Sequence, residues 1–152
     1  MPDKVLYDRT NSIKTSRHMY YRRVALFVLR DKDGRVLLQY KDKNAPFLPE
    51  HWAFFGGGID ENETPEEAAK REAKEEIGIE LDNIRFFRRY EFQEEKGLYE
   101  KFVFIAPLEH SPVSLKKQQE EGQDLGLFSF EELKKLKVSN NDRAILKDLF
   151  NK

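Results

Sequence analysis

No cysteine occurs among the 152 residues of this sequence. That absence excludes disulfides, thiolate metal sites and a cysteine nucleophile, and it is compatible with a reducing cytoplasm, the expected location. Long apolar runs are missing too. The opening stretch MPDKVLYDRTNSIKTSRHMYY has no hydrophobic segment of the signal-peptide kind, and no window approaches membrane-spanning length. A soluble, non-exported protein with no membrane partner is the expectation. Net charge is nearly absent, at −1. This argues against a general nucleic-acid coat or a surface for acidic lipid. Charge itself is plentiful, at 36% of residues, so functional carboxylates have to be found by position rather than abundance.

The length suits one domain with a core of two or three layers. Residues 1–18 are polar and aperiodic and read as an arm; 19–152 read as a single domain without repeats, as a monomer or homodimer. The run RRVALFVLR (22–30) is apolar, β-branched and aromatic, and predicts a buried strand. DKDGR turns at Gly34 into a second strand, VLLQYK (36–41), which makes a hairpin. Pro46 and Pro49 make 42–51 a loop, and WAFFGGG (52–58) reads as one short aromatic strand running into glycine. NIRFFRRYEFQ and LYEKFVFIAPL predict two strands joined at Lys96–Gly97. The stretch 110–124 reads as a polar loop, 125–130 as a strand, and 131–136 and 142–150 as helices, the last capped by Asn140 or Asn141. Strands on both sides of one central helix imply an α/β arrangement, with helices packed on a mixed sheet.

That central helix carries the clearest local signals. Thr64 suits the N-cap, Pro65 the first helical position and Glu67 the return half of a capping box. Ala69, Ala73 and Ile77 recur four apart as an apolar stripe, and Gly78 supplies a left-handed stop, giving a helix over 65–77. Glu72, Glu75 and Glu76 stand at i, i+3 and i+4 on one face. Like charges at that spacing repel, and a divalent cation would reverse the sign of the interaction. Magnesium suits such a site because it binds through a few carboxylates, retained waters and substrate phosphates. The competing reading is a solvated face neutralised by Lys70, Arg71 and Lys74. Arg71 lies eight residues after Glu63, four after Glu67 and four before Glu75, and can tie the acidic cluster together. Gly56, Gly57 and Gly58 let the backbone bend and present its polar groups to a ligand.

Taken together, Gly57, Glu63, Arg71, Glu72, Glu75, Glu76 and Gly78 match every fixed position of the box G-x5-E-x7-R-E-U-x-E-E-x-G-U, where U is bulky and aliphatic. The chain therefore resembles the Nudix hydrolases, with Ala73 smaller than the pattern prefers. The resemblance implies a Nudix fold, a mixed sheet between helices in an α/β/α sandwich. It also implies hydrolysis of a diphosphate linkage in a nucleotide, helped by magnesium, with manganese a possible substitute. In that family Glu75 and Glu76 correspond to metal ligands, Glu72 to a further ligand or the base, and the carbonyl of Gly56 to another ligand. Glu63, Arg71, Gly57 and Gly78 would organise loop and helix.

Outside the box, EEGQDLGLFS resembles the segment from which a glutamate reaches the metal in MutT-type diphosphatases. Glu121 is the match and Glu120 the fallback. Lys41 and Lys43 are candidates for phosphate, alongside the backbone of Gly57 and Gly58. Asn141 resembles a purine-reading asparagine as well as a cap. Phe27, Phe47, Trp52 and Phe54 are candidates for stacking on a base. The stretch from Glu94 to Tyr99 carries no convincing signature for ADP-ribose or dinucleoside polyphosphates. A nucleoside triphosphate or related nucleotide, oxidised dNTPs included, cleaved to monophosphate and pyrophosphate, is the leading expectation. The alternatives are an ADP-ribose or nucleotide-sugar pyrophosphatase, or a sensor module without turnover. No stable nucleic-acid binding is expected.

Overall fold

The first predicted strand is the axis of the sheet. In a computed structural model describing residues 19–118 and 124–151, β1 (Arg22–Arg30) runs parallel to β6 (Gly97–Pro107) along its whole length, from Arg22↔Tyr99 to Arg30↔Pro107. β5 (Arg85–Glu94) lies antiparallel on the far side of β6. On its other edge β1 meets β2 (Val36–Tyr40) at Arg30↔Val36 alone, and the two strands then part. β7 (Asp124–Phe128) pairs along the other edge of β2.

The parting of β1 and β2 explains one departure from the sequence reading. WAFFGGG is two strands, not one. β3 (Trp52–Ala53) pairs with β2, and β4 (Phe55–Gly58) crosses to pair with β1 from Phe27↔Phe55 to Val24↔Gly58. Phe54 makes the step, its carbonyl accepting a hydrogen bond from the Gln39 side chain at 3.2 Å.

β1 reads as a continuous apolar run because both its faces are covered. Ala25, Phe27 and Leu29 face one core, shared with Ala68, Ala69, Ala73 and Ile77 of α1 (Pro65–Ile77). Val28 belongs to a second core, shared with Leu133 of α3 (Phe130–Leu133) and Ile145, Leu146 and Leu149 of α4 (Asn140–Leu149). The alternation of side chains along the strands thus gives the expected sandwich. No helix among the described residues is long and apolar enough to cross a membrane.

Two further expectations need correction. Within the supposed polar loop lies α2 (Pro112–Gln118). The Ser111 hydroxyl accepts from the Ser114 amide at 3.1 Å, and Leu115 is fully buried in the first core. One buried leucine among polar residues is too short a pattern to show as periodicity. The last helix is capped by Ser139, whose hydroxyl accepts from the Asp142 amide at 3.1 Å, and not by Asn140 or Asn141. Both asparagines lie inside the helix, and their side chains are released from capping.

Candidate active site

α1 is fixed at both ends by its own sequence. Thr64 and Glu67 form the reciprocal capping box and Gly78 takes the left-handed conformation at φ 69°. Such a cap is worth about 1 kcal/mol. Three fully buried alanines, Ala68, Ala69 and Ala73, bring the helix close to the sheet. The small residue at 73 is therefore part of the packing. Closeness then forces Glu72 and Glu76, on the same side, against the glycines of β4. Only 2% of Glu76 is exposed, and its Oε1 accepts from the Gly56 amide at 3.2 Å. A Cβ at Gly57 would stand 2.5 Å from Glu72 Oε2, so any side chain there would displace that carboxylate. Gly56 has φ 141° and leaves no room for a Cβ against the backbone of β1.

Arg71 ties this corner together. It donates to both oxygens of Glu63, at 2.6 and 2.8 Å, to Glu72 at 2.9 Å, to Glu75 at 3.3 Å and to the Gly58 carbonyl at 3.0 Å. Glu67, the other partner suggested by spacing, is committed to the cap. The Glu63 carboxylate raises the guanidinium pKa, against the desolvation that lowers it. In return the Arg71 hydrogen bonds pull the Glu63 carboxyl from 4.5 to about 2. A carboxyl depressed in the folded state stabilises the fold above its unfolded pKa, and that contribution is lost as the pH falls from 4.5 towards 2. Glu63→Gln should therefore destabilise the protein above the window, by a margin that shrinks as the pH drops through it. Urea melts of both proteins across that range check this, and a constant margin would contradict it.

Glu72, Glu76 and Gly56–58 line one end of a cavity of about 1050 Å³. This is large enough for a nucleotide. Its floor is the second face of β1 and β6, where Arg22, Val24 and Leu26 lie beside Tyr99 and Lys101. Loop residues 42 and 44–48 form one wall and the start of α4 another. There Asn141 donates to Glu94 at 2.6 Å, and Lys101 pairs with Glu94 at 3.2 Å. Asp142 is 4% exposed and lines the same wall. Burial pushes its carboxyl pKa up, with Lys101 opposing and Glu94 reinforcing.

Of the predicted residues, Lys41, Gly57, Gly58 and Asn141 line the cavity, as do Phe47 and Phe54. Lys43 does not. Phe27 stacks on Phe55 in the first core, and Trp52 packs edge-on to Phe128. Glu75, expected beside Glu72 and Glu76, is absent from the cavity lining, and 58% of its side chain is exposed. Among the described residues no three carboxylates are gathered tightly enough to hold a metal ion by themselves. Glu120 and Glu121 lie outside the described residues. Asp142, Lys101, Glu94 and Arg22 were not singled out by sequence. The buried charge of Lys101 within an apolar strand was the one available signal.

The family model of the NUDIX domain matches residues 19–149. The chain belongs to the Nudix hydrolase family. An 8-oxo-dGTP diphosphatase of Haemophilus influenzae is 33% identical over 82 residues, covering 54% of this chain and 60% of that protein. An RNA pyrophosphohydrolase of Caulobacter vibrioides is 48% identical over 52 residues, 34% of this chain and 29% of that one. The chain thus spans less than two thirds of the length of either relative. The crystal structure of a MutT protein from Methanosarcina mazei superposes with a TM-score of 0.74 at 19% identity, covering 86% of this chain and 93% of that one. At that identity the likeness concerns the fold. The donors of this Nudix site fit a hard divalent cation. Glu72 and Glu76 are oxygen donors held against a glycine cradle that a Cβ would fill, and the chain has no sulfur ligand of the thiolate kind.

Proposed function

We propose that this protein hydrolyses a diphosphate linkage in a nucleoside triphosphate or a closely related nucleotide, releasing a monophosphate and pyrophosphate. The observation that carries this reading is the placement of two buried carboxylates, Glu72 and Glu76, at the glycine end of a nucleotide-sized cavity. Carboxylates packed side by side beside a cavity repel one another, and Arg71 contacts Glu72 at 2.9 Å. A divalent cation bound between them would turn that repulsion into attraction.

Glu72, Glu76 and the Gly56 carbonyl would hold magnesium, and Glu75, now 3.3 Å from Arg71, would be a further ligand. When bound, the metal supplies charge screening for the phosphates and acidifies water. The protein's own part is orientation. Arg71 fixes the Glu72 side chain and, through Gly58, the loop that follows β4. Glu72 or Glu121 would act as the base. Asn141 and Asp142, which line the cavity with Phe54, would present an amide and a carboxyl to the edge of a base. Lys41 would contact phosphate.

A panel of canonical and oxidised dNTPs, ADP-ribose, nucleotide sugars and dinucleoside polyphosphates, assayed with magnesium and with products resolved by chromatography, tests the reading. Triphosphates should turn over fastest and yield pyrophosphate rather than orthophosphate. Faster cleavage of ADP-ribose, or no turnover of any member, would sink it.

A further inference from the structure

Adjacent arginines at the start of β1 have opposite fates. Arg23 is committed to the fold, donating to Glu100 at 2.6 Å in a network that Arg89 joins from β5 at 2.6 Å. Arg22 points to the other face and lines the cavity. Among the described residues it has no carboxylate in ion-pair range. Its guanidinium instead lies over the ring of Phe47, 4.1 Å from the centroid. A guanidinium stacked on an aromatic face keeps its in-plane N–H fork available for hydrogen bonds, and that fork matches phosphate oxygens in pairs.

Position matters as much as chemistry. Arg22 Nη2 is 3.8 Å from the point where a Gly58 side chain would begin, while the neighbouring Gly57 abuts Glu72. The guanidinium therefore stands at the outer rim of the glycine end, two residues beyond Val24, which pairs with Gly58 on one side and Lys101 on the other. The opposite wall is closed by α4. A nucleotide with its base against Asn141 and Asp142 and its linkage near Glu72 would carry any further phosphate towards the rim.

We propose that Arg22, seated on Phe47, binds the distal phosphate of a nucleoside polyphosphate and so selects triphosphates over nucleotides that end in a neutral sugar. This rests on the hydrolase reading above, and the test separates the two. Arg22→Met keeps the packing on Phe47 and removes the fork; Phe47→Leu keeps apolar cover and removes the ring. Arg22→Met should raise KM for a dNTP about tenfold or more with kcat changed less than about threefold, and lower the dNTP preference over a nucleotide sugar by a similar factor. Inorganic pyrophosphate, titrated by calorimetry with magnesium, should bind about tenfold more weakly to Arg22→Met, and Phe47→Leu should show a smaller loss in the same direction. Equal losses on both substrate classes with a lowered melting temperature would make Arg22 a clasp for the loop and overturn the proposal. So would unchanged pyrophosphate affinity. If the parent protein hydrolyses no nucleotide, the hydrolase reading fails and the pyrophosphate titration alone decides this one.

Discussion

Glu76→Gln is expected to lower turnover by about 10²–10³-fold with a smaller fall in melting temperature than Glu63→Gln causes. The substitution isolates charge from shape. Glutamine keeps the volume and keeps an oxygen to accept the Gly56 amide at 3.2 Å, so the contact between α1 and β4 survives. What disappears is a negative charge on a side chain that is 2% exposed. A purely structural Glu76 predicts the reverse, a fall in stability with activity following it. Glu63→Gln provides the contrast, because it leaves one acceptor oxygen where Arg71 uses two, removes the ion pair, and should lower the melting temperature. Turnover and thermal melts of the two variants, measured with magnesium, separate the roles. Parent-like turnover in Glu76→Gln would remove the metal-site reading.

The parts of this site that could be read from sequence are those whose causes are local. Thr64, Pro65, Glu67 and Gly78 specify α1 within one short stretch, and the helix begins and ends where they place it. The Arg71 contact with Glu75 follows from helical spacing, whereas that with Glu63, which precedes the helix, needs the loop before Thr64 to fold back along it. The bond of Arg71 to Glu72 does not follow from spacing either, because adjacent residues on a helix do not ordinarily face each other. Equivalent spacing also hid a difference among the three glutamates. Glu72 and Glu76 turn inward beside the buried alanines, whereas Glu75 turns towards solvent, since the apolar stripe includes Ala68 as well as Ala69 and Ala73. The base end was out of reach for another reason. Asn141 and Glu94 are 47 residues apart, and only the packing of α4 over the end of β5 joins them. Arg22 and Arg23 are indistinguishable as a sequence pair, and the pleat of β1 alone sends one to a salt bridge and the other to the cavity.

Gly56→Ala should destabilise the fold by about 3–5 kcal/mol, from a strained backbone and an overpacked contact together. With φ at 141° the residue sits where side-chain-bearing residues rarely go. A Cβ there would also meet the Ala25 carbonyl oxygen well inside van der Waals contact and come within 2.8 Å of Leu26 Cα. Neither obstacle can rotate away, because both belong to the backbone of β1, held by β6 along its other edge. The strand could yield only by moving β4 outward, which would carry the Gly56 amide away from Glu76. Stability and site geometry are therefore coupled at this glycine. Gly34→Ala is the control. It also has a positive φ, at 84°, but nothing lies within 4 Å of an added Cβ, so strain acts there without a clash. It should cost about 1–2 kcal/mol and leave turnover intact. Urea denaturation of the two variants measures the difference. Equal losses would mean that backbone strain alone accounts for Gly56, and that the close approach of β4 to β1 has slack to give.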